Sequence, residues 1–135
     1  MIQQQRNKYL ETSVQTATPV QLMIMLWDGA IRFCKLGIDA LEKGNYQDAN
    51  SNLQKAQDII SEFVITLDKS SPIANGLLEL YAYFQRRLVD ANIKKDVEPA
   101  KEVLGYLTEL KETWVQAALA AKNANSTPTA GTKYG

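Results

Sequence analysis

From Pro19 onward the apolar positions recur three and four residues apart, the spacing of one face of an α-helix, and nowhere do they alternate as in a half-buried strand. On a wheel of about 100° per residue, Ala49, Leu53, Ala56, Ile59, Ile60, Phe63, Val64 and Leu67 fall within an arc of roughly 140°. A similar, wider stripe joins Val97, Ala100, Val103, Leu104, Leu107, Leu110, Trp114, Ala118 and Ala121. One bundle core accounts for both stripes.

Punctuation residues divide the pattern into four helices. Thr18-Pro19 reads as a cap followed by proline at the first helical position, and Lys43-Gly44 as a glycine C-terminal cap. Asn45 opens a second helix, Ser71-Pro72 a third and Asp96 a fourth. The predicted ranges are 19–43, 46–68, 72–94 and 97–124. Connections this short favour antiparallel neighbours, so the expected fold is all-α: an up-down four-helix bundle over residues 18–124. Residues 1–17 are expected to form a short N-terminal helix or lid segment. The small, polar stretch 125–135 is expected to be a disordered tail.

The first helix is unusual. Its polar residues (Gln21, Asp28, Arg32, Lys35, Asp39, Glu42, Lys43) crowd into a strip of roughly 100°, leaving about 240° almost wholly apolar. One flank carries Leu22, Met25, Gly29, Phe33, Leu36 and Ala40; the other carries Val20, Met23, Trp27, Ile31, Cys34 and Ile38. A core-facing stripe needs little more than 100°. Either the chain covers both flanks itself, or part of the surface is a groove for an amphipathic helix of a partner. The small residues Gly29, Ala30, Gly37 and Ala40 and the adaptable Met23 and Met25 suit the second reading.

Composition narrows the chemistry. The 135 residues include 15 Lys+Arg, 15 Asp+Glu and no histidine, with a single cysteine, Cys34. A balanced charge recruits neither nucleic acid nor an anionic membrane. The absent histidine removes Ser-His-Asp and Cys-His nucleophilic systems and the Glu-x-x-His di-iron sites of bundles. One cysteine supports neither a disulfide nor a thiolate zinc site. No glycine-rich phosphate loop occurs, so a non-enzyme without cofactor or metal is expected. Glu98/Glu102, Glu109/Glu112, Arg86-Arg87 and Lys94-Lys95 read as solvated faces, and Asp28–Arg32 and Lys35–Asp39–Lys43 as i,i+4 pairs. Trp114 reads as a core anchor. The longest apolar run, Pro19 to Trp27, falls far short of the ~20 residues of a membrane span, and the first residues have no signal-peptide pattern. A cytoplasmic location is the expectation.

Several ordered segments resemble one family. They are Tyr9 with Val14, Thr16-Ala17-Thr18-Pro19, and Leu22-Met23-Ile24-Met25-Leu26-Trp27-Asp28-Gly29-Ala30. Lys55-Ala56-Gln57-Asp58-Ile59-Ile60, Leu67-Asp68, Leu80-Tyr81-Ala82-Tyr83, Arg86-Arg87-Leu88, Ala91-Asn92 and Trp114 follow. Over roughly residues 9–117 this series resembles the flagellin-specific export chaperones, the FliS family. Trp27 departs from the tyrosine more usual there, but keeps an aromatic ring with a polar edge.

The resemblance implies a cytosolic chaperone that binds the disordered C-terminal segment of flagellin as helices in hydrophobic grooves. Such binding prevents premature polymerisation and supports delivery to the flagellar type III export apparatus. It also implies an N-terminal segment that covers part of the groove when flagellin is absent. The groove residues expected from the two readings together are Tyr9, Leu22, Met25, Ala30, Phe33, Ile59, Phe63 and Tyr81. The alternative is a self-associating helical scaffold or adaptor, with a second copy covering the apolar arc in a weak homodimer.

Overall fold

The computed structural model describes residues 18–126, with side chains through residue 123. Tyr9, the expected lid over 1–17 and residues 127–135 of the expected tail lie outside the described residues. Four helices follow one another: α1 (Pro19–Glu42), α2 (Tyr46–Thr66), α3 (Ala74–Lys94) and α4 (Val97–Ser126). No strand occurs among the described residues.

Local chemistry sets most boundaries. Thr18 Oγ1 accepts from Gln21 N at 3.1 Å while Gln21 Oε1 accepts from Thr18 N at 3.0 Å, a reciprocal cap on α1 with Pro19 just inside it. At the other end Gly44 takes φ +74°, and Asn45 N donates to Ala40 O at 2.8 Å, which satisfies a terminal carbonyl. Asn45 then caps α2 through Asp48 N. Lys95, at φ 54°, closes α3. Asp96 Oδ1 accepts from Glu98 N at 3.0 Å to open α4.

Four boundaries differ from the sequence expectation. α1 ends at Glu42 rather than residue 43, and α4 runs to Ser126 rather than residue 124, so that the first two residues of the expected tail are helical. α2 stops at Thr66 rather than residue 68, because Asp68 accepts from both Ser70 N and Ser70 Oγ, and this local turn competes with another helical turn. α3 starts at Ala74 rather than Pro72. Ala74 N donates to Ser71 O, three residues back, with Ile73 at φ −96°, ψ 0°, so Ser71-Pro72 forms a tight turn before the regular helix.

The four helices pack in a ring, α1 against α2 and α4, and α3 against the same two. Paired contacts show that neighbours run antiparallel. Gly37 meets Leu53 while Gly29 meets Ile59; Cys34 Sγ lies 3.4 Å from Ala100 O while Asp28 pairs with Lys111. Asn92 meets Asn50 and Gln85 meets Gln57 across α2 and α3. Arg87 pairs with Glu102, and Phe84 stacks on Tyr106, across α3 and α4. An all-α antiparallel four-helix bundle is therefore the fold.

Phe63, Phe84, Leu53, Ile60, Leu88 and Leu107 are the largest fully buried side chains. A chain of rings crosses this core: Trp27 to Phe63 at 4.2 Å between centroids, Phe63 to Tyr81 at 5.6 Å, and Tyr81 to Phe84 at 6.3 Å. Glycine is required where α1 touches α2, since a Cβ on Gly37 would stand 2.7 Å from Leu53 Cδ2.

Candidate functional site

Burial along α1 is lopsided. Its buried residues (Trp27, Ala30, Cys34, Gly37, Ile38, Ala40, Leu41) all lie at or beyond Trp27. The two flanks of its wide apolar arc thus have an internal explanation over this stretch, one packed on α2 and the other on α4. Before Trp27 the cover thins: Leu22, Met23, Ile24, Met25 and Leu26 are only half-buried, and Val20 is exposed. The surplus apolar surface is therefore densest in the first two turns of α1 and continues along the helix through half-buried Phe33 to exposed Leu36.

The other helices repeat this asymmetry at the same end. Phe63 is buried, but Ile65 is 68% exposed and Ile73 64% exposed. The stripe of α4 is buried only as far as Leu107; beyond it Leu110 and Val115 are half-buried and Trp114 is 38% exposed. Trp114 is therefore not the core anchor the sequence suggested: it stands on the wall of the gap between the helices rather than in their packed centre. Between these helix ends lies a cavity of about 570 Å³. Met23 and Trp27 line it from α1, Phe63 and Leu67 from α2 and its exit, Ile73, Leu77 and Tyr81 from α3, and Leu110 and Trp114 from α4.

The expected site residues separate into three groups. Leu22, Met25, Phe33 and Ile59 are half-buried, and the helical wheel sets the first three on the flank of α1 that faces α2. Phe63 and Tyr81 join the cavity wall with only their edges accessible. Ala30 is fully enclosed in the core and presents no surface. Sequence reasoning left Met23, Trp27, Leu67, Ile73, Leu77, Leu110 and Trp114 out of the site. The available signal was the i,i+4 pairs Met23/Trp27, Ile73/Leu77 and Leu110/Trp114, which the antiparallel packing brings to one end of the bundle.

Polar groups in the site are nearly all satisfied internally. Thr66 and Thr113 hydroxyls donate to Glu62 O and Glu109 O of their own helices. Hydrogen bonds from Ser70 hold the Asp68 carboxyl below its ordinary pKa, keeping a negative charge at the rim. Burial pushes the Tyr81 hydroxyl pKa up. The exception is Trp27. Its side chain is 3% exposed, and its Nε1 is buried without a hydrogen-bond partner, a state that costs about 1–3 kcal/mol. Farther along the α1–α2 face, the Phe33 ring is flanked by Arg32 Cζ at 4.9 Å and Lys55 Nζ at 5.4 Å.

Charged pairs the sequence assigned to solvated faces are partly cross-helix ties. Asp28 pairs with Lys111 of α4, although the spacing suggested Arg32, while Asp39–Lys43 forms as expected at 3.0 Å. Glu102 accepts from Tyr83 Oη and from Arg87 Nε, each at 2.7 Å, and these bonds lower its carboxyl pKa. The Cys34 thiol, buried against Ala100 O, is pushed up to about 12. Among the described residues, no group of three His, Cys, Asp or Glu side chains converges as for a metal ion, and no helix is long and apolar enough to cross a membrane. What the arrangement offers chemically is a largely apolar surface with a few polar groups, among them Ser71 and the Asp68 carboxylate, at its wall.

Comparison with known proteins gives a consistent result. The family model of the flagellar protein FliS matches residues 1–122. The chain is 40% identical over 116 residues to the flagellar secretion chaperone FliS of Bacillus subtilis, covering 86% of this chain and 87% of that protein. It is 36% identical over 110 residues to the protein of the same name from Salmonella typhimurium, covering 79% and 82%. Against that of Escherichia coli it is 30% identical over 113 residues, covering 82% and 83%.

Proposed function

The chain belongs to the FliS family of flagellar proteins, and on that premise we propose that it is a flagellar secretion chaperone whose cargo is the C-terminal segment of flagellin. The segment, disordered before binding, folds into helices on the apolar surface formed by the first turns of α1, the α1–α2 face and the end cavity. The observation that carries this reading is the half-exposed apolar surface from Leu22 to Leu26, continuous with a mostly apolar 570 Å³ cavity. Patches of this kind on a small protein mark partner surfaces.

The physical logic needs no catalysis. Flagellin helices that pack together in a filament present apolar stripes, and covering those stripes on the chaperone removes the driving force for early assembly. Folding on binding sets an ordering cost against the burial, so the complex stays reversible and can be given up to the export apparatus. The reading places the protein in the cytoplasm, where flagellin is made.

A paired substitution tests it. Leu22→Glu with Met25→Glu places two charges on the half-buried strip, and Gln47→Glu places one on the exposed first turn of α2 at the opposite end. The reading predicts that the double variant stays folded and loses flagellin binding, while Gln47→Glu binds normally. Normal binding by the double variant contradicts it. If light scattering instead shows a stable dimer that the double variant disrupts, the surface is an interface between copies of the chain.

A further inference from the structure

We infer that Arg32 and Lys55, gathered on the Phe33 ring, are specificity-determining residues: together they take a carboxylate of the bound segment at the far end of the α1–α2 face. This rests on the flagellin-binding reading above. Arg32 follows Met25 and Gly29 along α1 at helical spacing, and Lys55 stands one turn before Ile59 on α2, so each helix brings one cation to the border of the apolar strip. Both side chains are exposed, with Arg32 Cζ 4.9 Å and Lys55 Nζ 5.4 Å from the centre of the Phe33 ring. Among the described residues Phe33 is the one ring that draws two cations; Tyr83 and Tyr46 draw one each.

Neither cation has an acidic partner among the described residues. The three carboxylates of α1 are committed elsewhere, Asp28 to Lys111, Asp39 to Lys43 and Glu42 to Lys101. On α2, Asp48 accepts from Asn45, and neither Asp58 nor Glu62 pairs with Lys55. Two like charges held on one ring repel, and a carboxylate set between them offsets that repulsion while attracting both. Phe33 holds the cations through its π face, which uses none of their N–H groups. The planar fork of Arg32 and the ammonium of Lys55 therefore stay open to carboxylate oxygens. Half-buried Phe33 and Leu36, 43% exposed, offer apolar surface to the neighbouring side chains of the same bound helix. The strip alone selects for hydrophobicity; the two cations add the requirement that a carboxylate stand beside the residue that covers Phe33.

Calorimetric titration of the full chain with synthetic flagellin C-terminal peptides tests this. In one set each Asp or Glu of the peptide is changed in turn to Asn or Gln; in another peptide the terminal carboxylate is amidated. The two arms distinguish a side-chain carboxylate from the chain end. One of these changes should weaken binding to the unaltered protein about two- to tenfold. Arg32→Gln with Lys55→Gln should lose about as much, and the sensitive peptide change should then have no further effect. Arg86→Gln with Lys94→Gln removes the same charge from exposed positions on α3, diagonally across the bundle from α1, and should bind like the parent. Three results overturn the inference and leave the flagellin-binding reading standing: no peptide carboxylate affects the unaltered protein, the α3 variant loses as much affinity, or the peptide and protein changes add in full. No peptide binding by the parent overturns both.

Discussion

Ile73 offers a test in which stability and binding should move in opposite directions. It sits at the entrance to α3, lines the end cavity and is 64% exposed. Fully burying an isoleucine is worth about 1.5–3 kcal/mol, so roughly two-thirds of that, about 1–2 kcal/mol, is not realised until a partner covers the rim. Losing it corresponds to about a 5- to 30-fold weaker Kd. Ile73→Asp removes this area and adds a charge that a partner would have to desolvate, so the upper part of that range is expected. The same change places a carboxylate at the start of a helix that has no acidic residue in its first turn. That interaction with the helix dipole should add about 0.3–1 kcal/mol to the unbound protein. Calorimetric titration with the flagellin C-terminal segment measures the first effect, and urea denaturation the second. Unchanged affinity would refute the role of the cavity rim. Lost stability would show that Ile73 already packs in the free protein.

Other substitutions probe the frame that holds the site. Phe63→Ala removes the ring between Trp27 and Tyr81 and should cost about 3–5 kcal/mol in chemical denaturation, reducing binding mainly through unfolding. Gly37→Ala drives a methyl group into Leu53 and should destabilise the bundle by about 1–3 kcal/mol; a neutral effect would mean that α1 and α2 separate freely. Glu102 has its carboxyl pKa lowered by bonds from Tyr83 and Arg87, so its contribution to stability is present above the ordinary glutamate pKa and is lost as pH falls through the lower folded value. Acid denaturation of Glu102→Gln should accordingly show a shallower loss of stability below about pH 4.5. With its pKa pushed up to about 12, the Cys34 thiol should react with an alkylating reagent at neutral pH only when the bundle opens. Fast labelling under native conditions would contradict that burial.

The sequence disclosed the fold because its determinants are local. Thr18-Pro19, Gly44, Asn45 and Asp96 act on their own helix ends, and the 3.6-residue period fixes which faces turn inward. Ser71-Pro72 is ambiguous in sequence, since the same residues suit a tight turn and a helix start, and the chain takes the turn. The site was less legible because it depends on where neighbouring helices stop. A small side chain such as Ala30 fits equally well beneath a groove or between close-packed helices, and the approach of α2 to α1, allowed by Gly29 and Gly37, decides for the latter. Trp114 looks like any core aromatic until the helices around it are seen to leave a cavity whose wall it forms. The tie from Glu102 to Tyr83 and Arg87 joins residues 15 and 19 positions apart, beyond the reach of any helical period.

Binding of flagellin coupled to helix formation is the centre of this account, and circular dichroism of a titration with the isolated C-terminal flagellin segment tests it most directly. The account predicts saturable binding in which the mixture is more helical than the sum of chaperone and segment, with a negative heat-capacity change when the titration is repeated by calorimetry at several temperatures. A spectrum that stays additive at saturation would contradict it, because the segment would then be held without folding on the bundle.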